Sequence, residues 1–80
     1  MSQYASSVPA FRVGLGKRIR YLRQRAGIRP SELARRVGIH PAAVMRWERG
    51  EASPDNPEAV AQALGLSLAE FYVASVPDEG

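Results

Sequence analysis

Punctuation constrains this chain more than any other feature. Glycine stops at Gly27, Gly38 and Gly65 alternate with starts at Pro30, Pro41 and the Asn56–Pro57 pair. Proline suits the first helical position because the N–H it lacks would be unpaired there, and glycine ends a helix at little steric cost. A long helix cannot cross these marks, so the middle of the chain must consist of short helices joined by tight turns. The apolar residues agree. Leu15, Ile19, Leu22 and Ala26 fall on one face of a helix ending at Gly27. Leu33, Ala34 and Val37 line a second, which Gly38 ends. Ile39 then points back toward the core, His40 takes the N-cap, and Val44 with Trp47 forms the inner stripe of a third. That spacing makes Trp47 a core residue in preference to a stacking platform. ERGEASPDNP is turn chemistry that leads into a fourth helix with Val60, Ala61 and Leu64 inside. Ser67 and Glu70 have capping-box spacing for a fifth helix, with Leu68, Phe71 and Tyr72 as its apolar members. No segment alternates as a strand would, so the expected class is all-α with five helices. Residues 1–10 are read as a flexible arm, 11–75 as the folded domain and 76–80 as a flexible tail.

Composition narrows what such a domain does. There is no cysteine and one histidine, which excludes thiolate metal sites and leaves no convincing metal-ligand set. No phosphate-binding glycine loop and no cysteine nucleophile are present, so the chain is not expected to be an enzyme, and neither a cofactor nor a small-molecule ligand is expected. No apolar run approaches the roughly 18 residues of a membrane span, and MSQYASSVPAF lacks the pattern of a signal peptide; a cytoplasmic location is expected. The net charge of +3 hides an asymmetry. All eleven basic residues lie between Arg12 and Arg49, where Glu32 and Glu48 are the only acids, giving that stretch +9. From Glu51 onward there are six acids and no base, hence −6. A basic half joined to an acidic half is the footprint of a polyanion-binding surface; a merely solvated surface is the plain alternative.

Two short helices around Gly38 form a helix-turn-helix. In order and spacing, LGKRIRYLRQRAG, SELARRVGIHPAAVMRWERG and ALGLSLAEF resemble the phage repressor and Cro (XRE) family over about residues 14 to 72. Leu33, Ala34, Gly38, Ile39, Val44, Glu48 and Gly50 fall at the family's core and turn positions. The resemblance implies a compact five-helix lambda-repressor-like domain in which Arg23 and Glu48 form a structural ion pair. It also implies a third helix lying in the major groove of double-stranded DNA, with His40, Pro41, Ala42, Ala43 and Arg46 toward the bases. Of these, Arg46 alone has the fork that matches guanine O6 and N7. Arg29 and Ser31, at the start of the second helix, and Arg35, Arg36 and Arg49 are the implied backbone contacts. The family often has glutamine where this chain has Pro30, and the stretch from Gly50 to Leu64 is shorter than usual. A homodimer on a palindromic operator is expected, through Leu66, Leu68, Phe71 and Tyr72; the alternative is that these side chains close the monomer's own core. The implied role is a bacterial or phage-encoded, nucleoid-associated transcriptional regulator of the repressor, Cro or restriction-modification controller kind. Because Pro41, Ala42 and Ala43 offer no side-chain hydrogen bond, a protein-interaction module such as an antitoxin or adaptor is the alternative.

Overall fold

The computed structural model describes residues 10–73, with side chains from Arg12 onward; the remainder of the expected arm and the whole expected tail lie outside the described residues. Among the described residues there are five α-helices and no strand: α1 Ala10–Ala26, α2 Pro30–Val37, α3 Pro41–Glu48, α4 Pro57–Ala63 and α5 Leu68–Val73. None is long and apolar enough to cross a membrane.

The local signals act where the sequence puts them. Gly38 takes φ 88°, which a side chain would strain, and donates its N–H to the Ala34 carbonyl at 2.8 Å while Ile39 donates to the same oxygen at 2.9 Å. The chain thus reverses within three residues and α3 starts at once. His40 Nδ1 accepts from the Ala42 N–H at 3.0 Å, and Asn56 Oδ1 accepts from the Ala59 N–H at 3.2 Å. At α5 the capping box is complete: Glu70 N–H donates to Ser67 Oγ at 3.0 Å, and Ser67 N–H donates to Glu70 Oε1 at 2.8 Å.

The core is Ile19, Leu22, Ile28, Leu33, Ala34, Val44, Trp47, Val60, Ala61 and Phe71. Burying a side chain such as Ile19, Leu33 or Phe71 is worth about 1.5–3 kcal/mol against leaving it exposed. α3 is held between α1 and α2, while α4 packs on α2 and α5. Leu15, Val37, Ile39, Leu64 and Leu66 are partly buried against this core.

Three expectations need correction. α1 begins at Ala10, upstream of Leu15, because Val13 lies against Gly50 and that tertiary contact supports the extra turn. Ala26 is exposed, since it closes α1 beyond the core. Its place is taken by Ile28, whose N–H bonds to the Arg23 carbonyl at 3.2 Å and turns the side chain inward, outside any helical period. Phe71, assigned to a dimer interface, has no exposed surface at all: it is a core residue of the monomer.

α1 and α3 meet at Gly16, where a Cβ would collide with the Trp47 carbonyl oxygen and lie 3.2 Å from that of Glu48. Gly14, in the same helix, has nothing within 4 Å of that position. Gly14→Ala is therefore expected to stabilise the protein by about 0.5–1 kcal/mol, as alanine usually does in a helix. Gly16→Ala should instead cost about 1–3 kcal/mol, since neither backbone can yield freely. Thermal unfolding followed by circular dichroism compares the two; shifts of the same sign would disprove the close crossing.

Candidate nucleic-acid interface

α3 divides cleanly into two faces. Val44 and Trp47 are buried, whereas Ala42, Met45, Arg46 and Arg49 are exposed; Ala42 is three and four residues before Met45 and Arg46, and these are four and three before Arg49, which makes one outward stripe. Pro41 is half-buried, and Ala43 is partly buried against the core, so of the three apolar residues opening this helix only Ala42 is presented openly. His40 is exposed, with Nδ1 engaged in the cap; an accepting Nδ1 places the ring proton on Nε2, which becomes a donor at the N-terminal edge of the stripe. Met45, 46 % exposed, was missed by sequence reasoning. Its signal was available: two positions before Trp47, it lies on nearly the opposite side of the helix from that buried ring.

Behind this stripe one ion pair sets the position of the helix. Arg23 Nε donates to Glu48 Oε2 at 2.6 Å and Arg23 Nη2 to Glu48 Oε1 at 3.0 Å, a two-pronged contact, while Nη1 donates to the Ile28 carbonyl at 3.0 Å. Only 11 % and 12 % of the two side chains is exposed. Removing one partner would leave a charge stranded and cost about 3–5 kcal/mol. Both residues are scaffold, as the resemblance implied.

The remaining carboxylates sort the cations. Arg36 donates to Glu32 Oε2 at 2.8 Å and to the Ala63 carbonyl at 3.0 Å, so it ties α2 to the end of α4. Its side chain nevertheless stays exposed. Arg35, more open, lies 3.8 Å from the same carboxylate. Arg49 donates through Nε and Nη2 to Glu51 at 3.0 and 3.2 Å. Arg29 and Arg46 are exposed and have no hydrogen bond or ion pair among the described residues. Arg29 is also the N-cap of α2 without a side-chain cap, and with exposed Ser31 it flanks the positive end of that helix. Beside Arg46 a groove of about 320 Å³ opens between α3 and the loop preceding α4, with Trp47 and Ala43 in its lining. Ser53 Oγ is buried in its wall without a hydrogen-bond partner.

Glu51 is the second residue that sequence reasoning passed over. The hydrogen bond from Arg49 holds its carboxyl below the ordinary range, assisted by the charges of Arg49 and Arg46 and opposed by desolvation. A lowered pKa means that the pairing is complete above the ordinary carboxylate range and is lost as pH falls through the lowered value. In a proton titration followed by carboxyl chemical shifts, Glu51 should therefore titrate below the ordinary value, and Arg49→Gln should bring it back up. An unchanged midpoint in the variant would refute the pairing.

Comparison with known proteins places this geometry. Residues 14–72 match the family described as helix-turn-helix domain. The Repressor protein C2 of Salmonella phage P22 is 32 % identical over 59 residues, which is 74 % of this chain and 27 % of the repressor. The chain thus spans about a quarter of that relative. The solution structure of the DNA-binding domain of the P22 C2 repressor superposes with a TM-score of 0.72 at 31 % identity, covering 82 % of this chain and 90 % of the domain. The same repressor in complex with a synthetic operator gives 0.61 at 34 % identity, covering 71 % of this chain and 89 % of that one. The restriction-modification controller protein C.AhdI of Aeromonas hydrophila gives 0.74 at 31 % identity, with 79 % and 98 % of the two chains covered.

Proposed function

Because the chain belongs to the helix-turn-helix domain family, of the phage-repressor type, we propose that it binds double-stranded DNA sequence-specifically and regulates transcription. α3 lies in the major groove with its outward stripe against base edges, and the start of α2 meets the phosphate backbone. One observation carries this reading. Arg46 stands exposed at the middle of the stripe, engaged by no carboxylate within ion-pair distance, while neighbouring Arg49 is held by Glu51. A free guanidinium fork there reads guanine through O6 and N7. Ala42 and Met45 on either side offer apolar contact to thymine methyl groups, and the His40 Nε2–H adds a donor at the helix start. The P22 c2 repressor's complex with a synthetic operator, in a chain of the same fold, supports the same direction. Arg29 and Ser31 at the positive end of α2 are the backbone anchors in this reading, taking over from the glutamine that Pro30 replaces. Nothing in it requires catalysis or a cofactor.

Specificity is tested by selection from a random duplex library near physiological salt. A consensus containing guanine is expected, and Arg46→Ala should lower preference for that base about 5- to 150-fold, corresponding to about 1–3 kcal/mol, without unfolding the domain. Equal affinity of the wild-type protein for every duplex would exclude the regulator and leave the protein-interaction reading in its place.

The reading includes a homodimer. α5 presents Leu68, Tyr72 and Val73, 39 %, 46 % and 74 % exposed, with half-buried Leu66 beside them. Phe71 takes no part except by setting the Tyr72 ring, whose centroid is 5.3 Å from its own. Two domains on a two-fold site, with half-sites about 34–36 Å apart, double the few base contacts each supplies. Sedimentation should show a dimer that Leu68→Asp combined with Tyr72→Asp converts to a folded monomer; a wild-type monomer at high concentration, or an unaffected dimer in the variant, rejects this interface.

A further inference from the structure

We infer that the exposed flank of α1 beside α3, through Lys17 and Arg20, is a second phosphate-binding strip that grips the duplex whose bases α3 reads. The inference rests on the proposed function and extends it to residues that neither the motif nor the resemblance assigned to DNA.

α1 carries Arg12, Lys17, Arg18, Arg20, Arg23 and Arg25 and no acidic residue. Charge alone would make this a solvated surface. What distinguishes Lys17 and Arg20 is the sorting of pairs across the basic half. Glu48 holds Arg23, Glu32 holds Arg36 with Arg35 nearby, and Glu51 holds Arg49. Arg25 lies over the Tyr21 ring and donates to its hydroxyl at 3.3 Å. Lys17 and Arg20 are exposed, and among the described residues neither meets a carboxylate. They share this state with Arg29 and Arg46.

The difference matters thermodynamically. A cation already paired must give up its carboxylate to take a phosphate, so the exchange displaces few ions from the DNA. An unpaired cation neutralises a phosphate outright and releases a condensed counterion, which is the main source of affinity for a polyanion. Arg36 and Arg49, the expected backbone contacts, are thus already paired, whereas Lys17 and Arg20 of α1 stand open to a phosphate.

Position supports this role. α1 packs chiefly on α3, with Gly16 against the Trp47 and Glu48 carbonyls and Val13 against Gly50, so it abuts the C-terminal end of the reading helix. Arg20 lies one turn beyond Gly16 along the same side, and Lys17 is three residues before Arg20, close enough for both to face one surface. The two cations consequently flank the end of α3. Phosphates of a strand running past that end are the occupants these charges fit.

The test is a fluorescence-anisotropy titration of the full chain with a duplex carrying the selected consensus, repeated between about 50 and 200 mM salt. For Lys17→Ala combined with Arg20→Ala, the slope of log affinity against log salt should become shallower by about 1.8, at about 0.9 per phosphate contact. Over that range the wild-type protein should lose about tenfold more affinity than the variant. The selected consensus should stay the same, and Lys17→Arg with Arg20→Lys should restore the slope. Arg25→Ala, on the side of α1 opposite Gly16, controls for loss of charge without loss of contact. An unchanged slope in the double variant, or an equal loss per charge from Arg25→Ala, overturns the strip even when Arg46→Ala alters base preference as proposed. Failure of the wild-type protein to bind duplex DNA in a salt-dependent way overturns the strip and the proposed function together.

Discussion

The contact between Arg23 and Glu48 is the constraint on which the rest of this domain depends. One guanidinium reaches three oxygens on two further segments: both carboxylate oxygens at the end of α3 and the Ile28 carbonyl in the turn before α2. α1, the first turn and the third helix are thereby fixed to one another by a fork whose geometry tolerates little displacement. Gly16 completes the joint, because the absence of a side chain lets the α1 backbone approach the last carbonyls of α3. A helix of eight residues is marginal by itself in water. It is presented as a rigid rod because this joint holds its C-terminal end while Gly38 and the His40 cap hold the other.

That arrangement reconciles the apolar start of α3 with the reading role proposed for it. Pro41 and Ala43 are partly withdrawn into the domain, so their lack of hydrogen-bonding groups matters less than their place in the sequence suggests. What remains outward is Ala42, Met45, Arg46 and Arg49, two apolar and two cationic contacts in one line. Glu51 then holds Arg49 back, leaving a single free fork at the centre. In the proposed reading, so few groups per domain favour pairs of domains and recognition of duplex shape.

The acids of the basic half have a common consequence. Each carboxylate is committed to an arginine that holds the fold together or lies at its edge, so the free positive potential is concentrated on a smaller set of residues than the composition indicates. Net charge is a property of the whole chain. Which cations remain available is a property of packing.

Helix starts, stops and caps were legible in the sequence because each is decided within a few residues: the Gly38 turn, the His40 and Asn56 caps and the Ser67–Glu70 box depend on backbone geometry that neighbouring residues set. The inner stripes at Ile19, Leu22, Leu33, Val44 and Trp47 were legible for a similar reason, since helical period sorts side chains before any partner is known. The pairing of Arg23 with Glu48 came from resemblance alone, because nothing local links residues so far apart. Tertiary structure decided the rest. It buried Ile28 from a turn that has no period, enclosed Phe71 in the monomer, drew Arg36 to a distant carbonyl and left Lys17 and Arg20 without partners. Each of these outcomes depends on which surfaces approach in space, and sequence order does not encode that distance.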